Sequence, residues 1–162
     1  MGTRSDIIVK LSNGQWKRIY CHWDGYLSHN GKILLNHYNS QERAERLVEH
    51  GDLSSLAASC DKPNGHTFRN PVKGYCIYYG RDRGEKGVDG AIGDSLNEVY
   101  PDEGAWTEFT YVWDGHQWLV GNPCESTQTM LKLTDAMEAN AAAVNPIKSY
   151  IKAPWCVLGK RA

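Results

Sequence analysis

The chain has 162 residues, 41% hydrophobic and 23% charged, with a net charge of −1 at pH 7. That length buries a real core as one domain spanning 1–162, and the composition is that of an ordinary soluble protein. The near-zero charge excludes a global field for nucleic acid or an acidic membrane surface, and no apolar run reaches the roughly 20 residues of a membrane-spanning helix.

Met1 to Asp6 leads straight into a strand pattern, so no signal peptide is expected, and Asp6 stands where a myristoylation motif wants Ser or Thr. Asp6–Leu11 is β-branched and apolar. Ser12-Asn13-Gly14 is a turn, because Asn and Gly tolerate positive φ. Gln15 to His22 then alternates: Trp16, Arg18, Tyr20 and His22 fall on one face, Lys17, Ile19, Cys21 and Trp23 on the other. This predicts a hairpin with both faces partly covered. Asp24-Gly25 breaks the strand.

Gly31–Tyr38 reads as a short helix with Ile33, Leu34, Leu35 and Tyr38 inward. Asn39 or Ser40 caps a second helix, whose apolar stripe is Ala44, Leu47 and Val48 and whose stop is Gly51. Asp52–Leu56 reads as a turn, Ala57–Lys73 as loop and Gly74–Tyr79 as a strand. Gly80–Gly93, rich in glycine and alternating charge, reads as a mobile loop or one that orders on a ligand.

Asp94–Tyr100 fits a short helix. Trp106–Trp113, Asp114-Gly115 and His116–Gly121 form a hairpin pattern with a two-residue turn and cross-strand aromatics. A last helix opens at Ser126 or Thr129, runs through Val144 and is limited by Pro146. Tyr150–Val157 is a final strand or an irregular tail. The sum is an α+β fold: about five strands in mostly antiparallel β-hairpins, with helices packed on one face.

Several of these segments in combination resemble a family of small phage and prophage proteins. They are Met1-Gly-Thr-Arg-Ser5, Ile19-Tyr-Cys-His-Trp-Asp-Gly-Tyr26, Gly31, Leu34-Leu35, His37-Tyr38, Gly51–Leu56 and Tyr79-Gly-Arg-Asp-Arg-Gly-Glu85. The resemblance is detailed from Met1 to about Glu85; the family usually has Pro where this chain has Leu27. It implies an accessory phage product acting in the bacterial cytoplasm. Such proteins often counter host defence, by binding a defence complex or by sequestering or degrading a nucleotide signal. The resemblance brings no established active site.

The candidate site gathers polar and cationic residues at three turns. Thr3-Arg4-Ser5 sets a guanidinium between two hydroxyls, a fork suited to phosphate, or to a salt bridge with Asp24. His22 and Asp24 lie two apart and offer an acid–base couple, a ligand contact, or a core histidine beside a turn former. Trp23 and Tyr26 can stack a base or fill core. Arg81 and Arg83, in the glycine-rich loop, can fold over an anion, although no P-loop spacing is present.

Cys21, Cys60, Cys76, Cys124 and Cys156 are odd in number and show no CxxC spacing, which predicts reduced thiols. Cys21 and His22 are strand neighbours and point to opposite faces, so they form no dyad. No cofactor or metal constellation is expected. The leading expectation is a non-enzymatic protein that sequesters a small anionic, nucleotide-type immune signal. The alternatives are a protein–protein inhibitor of a host defence complex, such as an anti-CRISPR, and a small hydrolase or nuclease using His22 and Asp24. A homo-oligomer stays open.

Overall fold

The hairpin predicted at the start is present and forms the middle of the sheet. Strand β1 (Ser5–Lys10) pairs antiparallel with β2 (Trp16–Cys21), Ile7 opposite Ile19 and Ile8 opposite Arg18. The turn closes as expected: Leu11 N–H donates to the Gln15 carbonyl at 2.7 Å, and Gly14 takes φ +89°. The computed structural model describes residues 2–102, 105–122 and 129–143.

A single π-helical turn (Leu27–Gly31) runs directly into α1 (Lys32–His37). Helix α2 (Gln41–Val48) is capped by Ser40, whose hydroxyl accepts the Arg43 N–H, and buries Ala44, Leu47 and Val48. Then come β3 (Leu53–Ser55), β4 (Ile77–Tyr78), α3 (Tyr79–Arg83), β5 (Ala91–Gly93) and α4 (Leu96–Val99). The chain continues with β6 (Phe109–Trp113), β7 (Trp118–Gly121), β8 (Leu131–Lys132) and α5 (Leu133–Ala143). No helix among the described residues is long and apolar enough to cross a membrane.

The fold is α+β with mostly antiparallel pairing, as expected, but the sheet is larger than about five strands. It has eight strands, in the order β4-β3-β2-β1-β6-β7-β8, with β5 set against β2. Two of its pairings, β1 with β6 and β2 with β3, are parallel. The physical reason lies in β1 itself. Ser5 to Val9 are buried on both faces, and all five residues of β6 are buried. Strands buried on both faces read as continuous apolar runs and take central, parallel places.

One face of the sheet carries Ile7, Val9, Ile19, Cys21, Tyr111 and Trp113, covered by α1, α2 and α5 through Leu34, Leu47 and Leu133. Each such fully buried aliphatic side chain contributes about 1.5–3 kcal/mol. Helix α4 departs from the one-face expectation. Its Val99 and Leu96 cover Ile8 and Val112 on the opposite face.

Other departures are local. Asp52–Leu56 contains β3 rather than a turn, and the Gly74–Tyr79 strand narrows to β4. Gly80–Gly93 is not a free loop, because α3 and β5 lie within it. The Asp114-Gly115 turn is a four-residue connection after the Trp113–Trp118 pair; Asp114 Oδ1 accepts the His116 and Gln117 N–H groups at 2.8 Å each, an Asx arrangement. Helix α5 opens at Leu133, after β8. Ser126, Pro146, Tyr150–Val157, Cys124 and Cys156 lie outside the described residues.

Candidate functional site

Helix α4 covers only the apolar half of its face. The other half presents Asp6, Arg18 and Tyr20, brought side by side by the register that pairs Asp6 with Tyr20 and Ile8 with Arg18. Among the described residues no helix seals this half, and an open cleft of about 600 Å³ lies there. Asp52 and Ala91 border it on one side, Asp102, Trp106 and Thr107 on the other.

Glycine builds one wall. Gly90 has φ +86°, and a Cβ there would meet the Arg18 carbonyl at 2.3 Å. Gly51 has φ +78°, and a Cβ there would meet the Val88 carbonyl at 2.2 Å. Only glycine lets the 84–90 loop press this closely on β2 and on the turn before β3, where the Asp52 N–H donates to the Val88 carbonyl at 2.8 Å. The glycine-rich stretch thus shapes a wall instead of folding over an anion.

The floor carries mixed charge. Asp6 is only 5% exposed, and its Oδ2 accepts the Thr107 hydroxyl at 2.6 Å. Burial pushes its carboxyl above the ordinary range, against the pull of Thr107 and of the Arg18 charge. Asp52 Oδ1 accepts the Tyr20 N–H at 2.8 Å, and burial raises this carboxyl too, against that bond and Arg18. Arg18 feels both carboxylates yet forms no ion pair among the described residues.

Further along the same face stand Arg4, Tyr20 and His22. The Tyr20 hydroxyl lies 2.9 Å from His22 Nδ1, and Arg4 donates to the same phenol oxygen. With Arg4 donating, the phenol proton is directed to Nδ1 and the imidazole proton to Nε2. His22 then offers a donor, not a base, to anything above it. Burial, and then the Arg4 charge, lower its pKa below the usual value. Trp23 sets its ring edge-on to His22 at 4.6 Å and is 45% exposed.

Among the sequence-predicted residues, Arg4, His22 and Trp23 come together. Ser5 turns inward, fully buried, its hydroxyl accepting from Asn30 Nδ2 at 3.3 Å, and the Thr3 carbonyl accepts the Gly25 N–H at 2.7 Å. Asp24 is a turn former with φ +55°; its side chain bonds Tyr26, whose phenol is raised by burial and then by Asp24. His22 and Asp24 therefore serve different partners and form no couple.

Arg81 was expected to reach a ligand, but its guanidinium is committed internally. It donates to the Cys60 carbonyl at 2.7 Å, to the Cys76 carbonyl at 3.1 Å and bidentately to Asp82. Asp82 is buried, which pushes its carboxyl up, but the bonds from Arg81 and the Tyr78 N–H outweigh this and hold it below the usual range. His66 Nε2 lies 3.3 Å from the same carboxylate, close but not aligned for a hydrogen bond. Arg83 pairs with Glu85 and lies over the rings of Phe68 and Tyr79 at 4.3 and 4.9 Å.

The sequence reading missed Asp6, Asp52, Trp106 and Thr107, and it placed Arg18 on the right face without giving it a role. A signal was available at Asp6, a charge inside a β-branched strand beside the predicted Arg18/Tyr20/His22 row. Cys21, Cys60 and Cys76 are free thiols. Burial pushes Cys21 up to about 12 and Cys76 up to about 11, so neither is a reactive thiolate. No group of three or more metal-ligating side chains occurs among the described residues.

Fold and site define an α+β protein with a mixed sheet, one face packed by helices and half of the other left open as a polar cleft. In comparison with known proteins, the chain matches no family model, no curated protein and no solved structure.

Proposed function

We propose that this chain is a phage accessory, anti-defence protein that binds and sequesters a small anionic, nucleotide-type immune signal in the host bacterial cytoplasm. The observation that carries this reading is Arg18, a guanidinium without an ion pair among the described residues, on the floor of a cleft of about 600 Å³. Arg4 lies along the same face, beside Tyr20. Two guanidinium forks suit phosphate oxygens. The Nε2–H of His22 adds a donor. Trp106, 82% exposed, lines the cleft, and Trp23 is exposed beside His22; stacking a base is worth about 1–3 kcal/mol. Tyr26 and Arg83 are not among the residues that line the cleft.

The test is a thermal-shift screen of the purified protein against cyclic and ADP-ribose-type nucleotides, followed by mass spectrometry of each mixture. A large shift with the ligand recovered intact, lost in Arg18→Ala and weakened in Arg4→Ala, supports sequestration. No shift with any nucleotide sinks the reading and leaves a host defence protein as the partner, to be sought by pull-down.

Hydrolysis is a second reading, favoured by one observation: burial raises two carboxyls, Asp6 and Asp52, in a single cleft. It predicts a changed ligand mass, abolished in Asp6→Asn. This pair replaces the His22 and Asp24 couple as the acid–base candidate.

A further inference from the structure

We infer that the cleft recognises the ribose of its ligand, with the Asp6 and Asp52 carboxylates each accepting one hydroxyl of a vicinal diol. This rests on the nucleotide reading above and names the part of the ligand that the cleft selects.

Thr107 occupies Asp6 Oδ2, and the Tyr20 N–H occupies Asp52 Oδ1. Among the described residues Asp6 Oδ1 and Asp52 Oδ2 have no protein donor, and both residues line the cleft. Each carboxylate thus has one oxygen left. A guanine edge, which donates through two neighbouring N–H groups, needs both oxygens of a single carboxylate. A vicinal diol needs one oxygen from each of two, and the two side chains are close enough for the Asp52 charge to act on Asp6.

Charge narrows the choice further. Arg18, whose charge acts on both carboxylates, disfavours a cationic ligand group, and the carboxylates disfavour a second phosphate on the floor. Neutral donors fit, and with the guanine edge set aside by its need for a single carboxylate, the ribose hydroxyls are the adjacent neutral pair that remains. Beneath the floor Thr110, the register partner of Asp6 on β6, has a buried hydroxyl with no hydrogen-bond partner among the described residues.

Isothermal titration with the four ribonucleoside 5′-monophosphates and their 2′-deoxy counterparts tests the inference. The ribose form should bind about ten- to a hundredfold more tightly than the deoxy form of the same base, the range expected when a hydrogen bond to a charged acceptor is lost. In Asp52→Asn the amide oxygen still serves the Tyr20 N–H, leaving an NH2 donor facing the hydroxyl, so the ratio should fall toward one while the melting temperature does not fall. Asp6→Asn makes the same test at the other carboxylate. Equal binding of ribose and deoxyribose forms, or a preference that follows the base instead of the sugar, overturns the diol assignment and leaves the nucleotide reading standing. Failure of every monophosphate, together with the cyclic and ADP-ribose-type nucleotides, overturns both.

Discussion

The Tyr20 hydroxyl and His22 Nδ1, two residues apart on one face of β2, meet at 2.9 Å. Strand alternation puts both side chains on the open face, and Arg4 completes the row from the facing strand. Burial and the Arg4 charge both oppose protonation of His22. An NMR titration should therefore place its midpoint below the ordinary histidine value of about 6.5. Arg4→Ala should move that midpoint upward by removing the second cause. The sign for stability follows: the folded state resists taking up this proton, so the contribution of His22 to stability falls as pH drops below its unfolded value. A midpoint unmoved by Arg4→Ala would break the proposed row.

Asp52→Asn should separate stability from binding. Its folded carboxyl is raised by burial, so the folded chain holds this proton to higher pH than the unfolded chain does. Ionisation therefore lowers stability as pH rises from the unfolded value, about 3.9, through the raised folded value. The amide keeps the Tyr20 N–H acceptor and carries no charge. Relative to wild type, the variant should gain stability as urea melts move from pH 3 to pH 7, while ribonucleotide affinity falls. Parallel losses of stability and affinity would mean that Asp52 is only structural.

The hairpin β1–β2, helices α1 and α2 and the β6–β7 pair were legible because each is a local pattern with its own period and turn. Parallel pairing of β1 with β6 was not, since no nearby turn encodes it and paired residues, Ser5 with Phe109 through Val9 with Trp113, are 104 positions apart. Arg18, Tyr20 and His22 were legible as a row for the same reason as the hairpin. The cleft was not, because Asp52 and Thr107 reach it from remote segments. Arg81 misled because an arginine in a glycine-rich stretch looks free, whereas the carbonyls of Cys60 and Cys76 that hold it are invisible in a linear reading.

Gly90→Ala should be costly and Gly14→Ala mild, although both residues have φ near +90°. At Gly14 a Cβ meets nothing within 4 Å, so only the backbone conformation is penalised. At Gly90 the same Cβ collides with the Arg18 carbonyl at 2.3 Å. Gly90→Ala should lose about 1–3 kcal/mol or more in denaturant melts and loosen the wall above Arg18, weakening nucleotide binding beyond the stability loss. Equal losses at the two positions would show that the 84–90 loop does not depend on its close approach to β2.

Two arginine–carboxylate pairs sit two residues apart and should respond very differently. Asp82 is fully buried and accepts from Arg81 at 2.8 and 3.1 Å and from the Tyr78 N–H at 2.8 Å. Asp82→Ala leaves the Arg81 guanidinium in a largely dry site with no counter-charge, the circumstance in which losing one partner costs about 3–5 kcal/mol. The damage should spread, because Arg81 also holds the carbonyls of Cys60 and Cys76, and His66, beside Asp82, accepts the Val72 N–H at 3.0 Å through Nδ1. Arg83 and Glu85 have side chains 46% and 40% exposed, and water competes for that pair. Glu85→Ala should therefore change stability by about 0–1 kcal/mol. Urea melts of the two single variants, read beside hydrogen exchange of the 57–76 segment, separate the cases. If Asp82→Ala melts like Glu85→Ala and the segment keeps its protection, the buried pair does not hold that segment to α3.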